Sequence, residues 1–398
     1  MSDPLAAGAD VPVDNQTTLA MLETDPTSVY QRLRRHSPIV RVAAIGRIVF
    51  TKAEDVLRVK TDTAHFGSHD TTTPMQRAFG GHTLMRKDGC EHLRERRAME
   101  PTFARNCLHH HWKPQFEDLT DQVLAELGEK QDVDLLPALA APLTAAYLQL
   151  VLGVGQVGES QLFTWAQALI RGAMKASFDP KVFEISDHAN AEMDHCFDAM
   201  IAKHMKTPTA SVLSTMANGP DPIGLSQIRT NMKICIGGAV VETRDALLST
   251  LYGLLSNPIQ LDHCCKHNTW DRACEEGLRW VAPIQASPRL VMRSLTMRGM
   301  HIPKGETVMA IQASANHDEA IWTHPERFDA QRTPHDHQTF GDGPHQCLGG
   351  DIYRLLVADV VLPKLFTRFP SLSLRPDHAV KFKGFAFRGP TSLPVRLA

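Results

Sequence analysis

The sequence has no sign of export and no stretch able to cross a bilayer. Its first residues, MSDPLAAGADVPVDNQTT, have neither the basic start nor the apolar core of a signal peptide. No apolar run approaches the roughly 18 residues that a membrane span needs. Charge of one sign is lacking too: 42 Lys and Arg stand against 44 Asp and Glu, so there is no field to recruit nucleic acid or an acidic membrane. Repeats, low-complexity tracts and Pro/Ser/Gly linkers are absent, and nothing divides the chain. The eight cysteines are scattered; without a secretion signal they read as reduced thiols in a cytoplasmic protein. Apolar residues at 43% and charged residues at 22% fit a globular protein with a large core.

What is present is helical texture. Residues 1–18 read as a flexible arm and 19–398 as one domain. Segments such as QFEDLTDQVLAELGEK and ESQLFTWAQALIRGAMKA carry apolar residues at a spacing of three and four. The longest, Leu225 to Pro258, would run about 45–50 Å if helical throughout. After residue 280 come short β-like pieces and turn-rich coil, then a last helix from about Gly350 to Phe369. The fold class is mainly α with a small late β portion.

One segment breaks this texture. FGDGPHQCLGG, Phe340 to Gly350, sets a single cysteine among glycines just before a helical stretch. A thiolate there would meet backbone N–H groups and the positive end of the helix dipole. Gly341, Gly343 and Gly349 have no Cβ, so the loop can lie against a flat partner and aim its N–H groups at sulfur. Phe340 could shield one side from water.

The pattern Phe340, Gly341, Gly343, His345, Cys347, Gly349 resembles the haem-binding loop of the cytochrome P-450 superfamily. The continuation GDIYR differs from that family's loop at its first and fourth places and keeps Arg354. The resemblance covers about residues 20–398. It implies the P-450 fold, a helical triangular body with a small β portion, holding haem b with Cys347 as its thiolate metal ligand. Glu276 and Arg279, three apart on one helix face, match the family's E-x-x-R pair in a structural role. His92, Arg96, Arg289 and His345 match positions that contact the haem propionates. Arg94 and Arg97 would face outward, where an electron donor docks.

In the long helix, GGAVVETRD resembles the family's A-G-x-E-T segment, with Ala239, Glu242 and Thr243 in register and Val240 in place of glycine. An acid beside a hydroxyl can hold water and pass protons toward dioxygen, and Gly237 with Gly238 weakens the helix just before them. The implied reaction is monooxygenation with O2 and NAD(P)H-derived electrons. Those electrons would come from a separate ferredoxin or flavin/iron–sulfur reductase, to a monomer free of nucleic acid and membrane. A non-oxygenating haem-thiolate sensor would not need Glu242 and Thr243, and peroxygenases of the family often replace the threonine pair.

The segments GFAFRGPTSLPV, EGLRWVAPI and SANHD are similar to bacterial P-450 enzymes that O-demethylate small methoxyphenols, although those have Glu-Pro where this chain has Glu242-Thr243. Phe79 and Phe387 match two phenylalanines of their pocket, and Gly172 falls near a third position, where a small residue would leave room for a bulkier ring. The implied substrate is a small, mostly apolar ring compound that is hydroxylated or O-dealkylated, aromatic ethers ahead of terpenes, thiocarbamates and fatty acids. The cluster HCCKH (263–267) has spacing too short to close a tetrahedral metal site, and HHH (109–111) reads as capping a helix end or facing solvent.

Overall fold

The computed structural model describes residues 8–69, 74–128, 131–174, 180–333 and 336–397. Its helices used below are α1 (Ala53–Thr61), α2 (Met75–Ala78), α3 (Gly89–Phe103), α4 (Glu159–Met174), α5 (Pro180–Lys206), α6 (Leu225–Gly237), α7 (Val240–Leu255), α8 (Trp270–Val281) and α9 (Gly350–Arg354). The chain falls into two compact units. One takes Met1–Asp70, Asp245–Cys347 and Leu374–Leu393; the other takes Thr71–Arg244, Leu348–Ser373 and Pro394–Ala398. The division falls inside α7.

The first unit is built on a six-stranded sheet. Its strands are β1 (Val13–Asp14), β2 (Ile39–Val42), β3 (Arg47–Phe50), β4 (Phe66–Gly67), β5 (Ser287–Val291) and β6 (Thr307–Ala310), in the order β1-β2-β3-β6-β5-β4. β2 and β3 form an antiparallel hairpin that turns at Gly46, whose φ of 63° suits glycine. β6 then runs parallel to β3 and antiparallel to β5. Ile48 and Phe50 of β3 are fully buried in a core with Val56 and Val59 of α1 and Val308 of β6. The first amide of α1 donates to Asp318 at 2.9 Å, a cap supplied from far along the chain.

The stretch expected to be a loose arm is tied down where it is described. Ala9 and Asp10 pair in parallel with Met300 and His301, and Val13 and Asp14 pair with β2. Backbone pairing, which the side-chain pattern of so short a segment does not reveal, holds it.

α8 packs against α7 by a close approach. A Cβ at Gly277 would lie 2.1 Å from Thr250 Oγ1 and 2.8 Å from its Cα. Only glycine lets these helices meet so closely.

The second unit is helical around α4, α5 and α6. The expectation of one helix from Leu225 to Pro258 is corrected: α6 ends at Gly237, Gly238 takes φ −111° and ψ 11°, and α7 starts at Val240. The glycine pair removes the side-chain bias that would carry the helix through. The last helix is present but not uniform, widening to π spacing over Leu355–Val361 before closing at Leu362–Arg368. Pro363 offers no N–H to the carbonyl four residues back, which favours the wider turn.

Candidate active site

The cysteine loop of the first unit closes on itself. The Cys347 amide donates to the Phe340 carbonyl at 2.8 Å, and Gln346 N donates to Gly343 O at 3.1 Å. Gly341 and Gly343 have φ of 71° and 69°, the left-handed region. Gly343 also lies flat on α1, where a Cβ would come within 2.9 Å of the Lys60 carbonyl. The loop leaves the Cys347 thiol exposed, with Phe340, His345 and Gly349 half-buried beside it. Three residues further along the chain α9 begins at Gly350, with Asp351 in its first turn.

Lys60 anchors this loop, and the sequence did not mark it. Its side chain is 1% exposed, its Nζ donates to Gln338 O at 3.1 Å, and Asp342 Oδ2 stands 3.6 Å away. Burial pushes its pKa down to about 8; Asp342 works against that and Arg289 adds to it. Arg289 itself is buried in β5, opposite Val308, and donates to the Pro288 carbonyl at 2.9 Å. The carboxylate of Asp342, set among glycines in the loop, is the one feature of the sequence that could have pointed to a distant cation.

Glu276 and Arg279 form a forked pair on α8, with two contacts of 2.7 Å and side chains 4% and 1% exposed. Arg279 also donates to the carbonyls of Asn316, Pro325 and Arg327. Arg332, absent from the sequence reading, brings a third charge to Glu276 at 3.2 Å. The Asp329 amide donates to Glu276 at 2.8 Å. Every buried donor on Arg279 has a partner, as a buried guanidinium requires. The neighbouring Glu275 faces His337 at 3.2 Å instead. Phe387 is half-buried, and its backbone bridges to Ile284.

In the second unit, His92 is buried on α3, and Arg96 one turn later is half-buried, 3.6 Å from Glu100. Arg94 and Arg97 are exposed as expected, Arg94 gripping Asp221 at 2.8 Å. Ala239 lies in the break between α6 and α7. Glu242 is buried in the first turn of α7, and the half-buried Thr243 donates its amide to the Ala239 carbonyl at 3.0 Å. Phe79 is 2% exposed and lies on α6, so close that a Cβ at Gly237 would come within 2.9 Å of its ring.

Gly172 is a correction. A Cβ there would lie 2.7 Å from Ala78 Cβ and 3.3 Å from Ser186 Oγ. Its missing side chain is used to pack α4 against α2 and α5, and it opens no space for a bulkier ring. Among the described residues there is no group of three or more potential metal ligands, and His109, His110 and His111 are exposed.

The residues fit a haem. A glycine-fixed loop presents one sulfur, and the cationic side chain of Arg289 is buried in the same unit, suited to carboxylates. The class these features define is that of the haem-thiolate folds, and comparisons bear it out. The profile of the cytochrome P450 family matches residues 256–381. A steroid C26-monooxygenase of Mycobacterium tuberculosis (strain CDC 1551 / Oshkosh) is 31% identical over 267 residues, 66% of this chain and 71% of that protein. The putative cytochrome P450 YjiB of Bacillus subtilis (strain 168) is 28% identical over 327 residues, 80% of this chain and 81% of its own. The crystal structure of P450BioI in complex with hexadec-9Z-enoic acid ligated acyl carrier protein superposes with a TM-score of 0.86 at 23% identity, covering 94% of this chain and 99% of that one. The chain belongs to the cytochrome P450 family. It is a haem-thiolate monooxygenase that binds haem b and acts on a small molecule. Among the described residues no helix is long and apolar enough to cross a membrane.

Because Lys60 is depressed in the folded protein, the unfolded chain holds more protons between about pH 8 and 10.5. Stability should therefore rise with pH across that window. Denaturation midpoints of the wild type, measured against Lys60→Met, should gain as pH climbs. Parallel curves would show that Lys60 keeps its ordinary pKa.

Proposed function

We propose that Cys347 supplies the thiolate to haem iron, with His92, Arg96, Arg289 and His345 contacting the propionates. The observation that carries this is the exposed Cys347 thiol on a loop whose Gly341 and Gly343 adopt left-handed backbone. Bound haem would supply the oxidising chemistry, in which dioxygen, two electrons and two protons place one oxygen atom in the substrate and release the other as water. Glu242 and Thr243 hold and move protons beside the helix break, the carboxylate exchanging them and the hydroxyl orienting water. Ala239 borders the same break, and Phe340 and Gly349 keep solvent from the sulfur and room for a flat partner. Glu276 and Arg279 support the fold only. A separate ferredoxin or flavin/iron–sulfur reductase delivers the electrons in the cytoplasm.

The substrate is a small, mostly apolar ring compound, with aromatic ethers such as methoxyphenols first. The buried ring of Phe79 and the half-buried ring of Phe387 support an aromatic guest, held by stacking or edge contact. Since Gly172 is filled by its neighbours, compact rings rank ahead of alkyl-extended ones.

Cys347→Ala should abolish the thiolate-type spectrum of the reduced carbon monoxide complex; survival of that spectrum would transfer the ligand role elsewhere. In Thr243→Ala, haem and substrate binding should persist while product formed per NAD(P)H consumed falls by about ten- to a hundredfold. Unchanged coupling would move proton delivery to Glu242 and water alone. A panel of guaiacols, alkylguaiacols, monoterpenes and fatty acids, scored by Soret shift and coupled turnover, should favour the plain guaiacols. Tight binding of long fatty acids with no response to any ring compound would overturn the substrate class.

A further inference from the structure

Lys87, Glu95 and Asn231 form a buried polar triad within the second unit that none of the chemistry above uses. Their exposures are 3%, 3% and 0%. Lys87 Nζ donates to Glu95 Oε1 at 2.5 Å, and Asn231 Nδ2 donates to Glu95 Oε2 at 2.8 Å. The Leu84 amide donates to Asn231 Oδ1 at 3.0 Å. One chain of bonds thus ties the turn at Leu84–Arg86, helix α3 and helix α6. Lys87 also meets the exposed Glu91 at 2.6 Å, which leaves the triad one wet edge.

Stability alone does not account for such a group. Removing an ion pair from water costs about as much as its attraction returns, and apolar side chains of like volume serve as well or better. What a satisfied buried network adds is one permitted arrangement, because any slip leaves charge unpaired in a low dielectric. Here the arrangement concerns two helices that matter. Glu95 directly precedes Arg96 and lies one turn beyond His92 on α3. Asn231 lies two turns before Gly238, where α6 gives way to the break that precedes Glu242 and Thr243.

We infer that Lys87, Glu95 and Asn231 are positioning residues that fix α3 against α6 and so set where His92 and Arg96 stand relative to that break. The inference rests on the assignment of His92 and Arg96 to the propionates. It assigns no contact with substrate or haem to the triad itself.

The test is the rate of haem transfer from the holoenzyme to excess apomyoglobin, measured beside thermal unfolding. Asn231→Leu, and an apolar triple variant carrying Lys87→Met, Glu95→Leu and Asn231→Leu, should each lose haem about tenfold faster than the wild type. The triple variant should nevertheless unfold at or above the wild-type temperature. Glu95→Gln, whose amide N–H must oppose Lys87 or Asn231 as a second donor, should also lose haem faster than the wild type. Adding Asn231→Leu to Arg96→Ala should accelerate loss less than the product of the two single effects, since both act through one edge of α3. Wild-type haem loss in the stable triple variant would overturn the inference while leaving the propionate assignment standing. If Arg96→Ala alone leaves haem loss unchanged, the propionate assignment fails and the inference falls with it. Should Asn231→Leu yield no folded holoprotein, the triple variant decides.

Discussion

Gly343 can lie on α1 only because it has no side chain. Its backbone is left-handed, and a Cβ would sit 2.9 Å from the Lys60 carbonyl. Either constraint alone favours glycine, and together they fix the height of the loop over the helix. From that contact the rest of the site in the first unit follows. Lys60 reaches back to Gln338 and Asp342, the Cys347 amide closes on Phe340, and the sulfur is left outward. A loop pinned at both ends holds its thiol without spending entropy when a partner arrives.

On α8, buried charge is managed by a closed network rather than a single pair. Glu276 answers to Arg279, Arg332 and an amide, while Arg279 is shared among three carbonyls besides. Such networks contribute little net energy against an apolar core, but they permit one geometry. In α8 they sit beside Gly277, whose contact with Thr250 already sets the approach to α7. Polar specificity and steric specificity therefore act on the same helix.

What the sequence made legible was local. The glycine–cysteine loop, the E-x-x-R pair one turn apart on a helix and the glycine pair before Glu242 each span a few residues. The loop and the E-x-x-R pair stood out by their resemblance to the P-450 family, and the glycine pair by its weakening of a long helical run. The break itself was read as a weakening and is a full interruption of the helix at Gly238. What stayed hidden was contact between distant segments. Arg332 joins Glu276 from 56 residues away, and Lys60 joins a loop about 280 residues on. Neither carries a local signal beyond being a charge in an ordinary place. Gly172 shows the opposite failure: a small residue reads equally as space or as close packing, and here Ala78 and Ser186 occupy the gap. Residues 9–14 escaped because strand pairing of two residues leaves no side-chain pattern.

The central claim is that the sulfur on haem iron belongs to Cys347. The most direct measurement is the resonance Raman spectrum of ferric holoprotein grown with natural and with heavy-isotope cysteine sulfur. An iron–sulfur stretch should appear, move to lower frequency with the heavy isotope, persist when the other exposed cysteines Cys90 and Cys265 are replaced by serine, and vanish in Cys347→Ala. A spectrum with no sulfur-sensitive band, or one whose band survives in Cys347→Ala, would contradict the account.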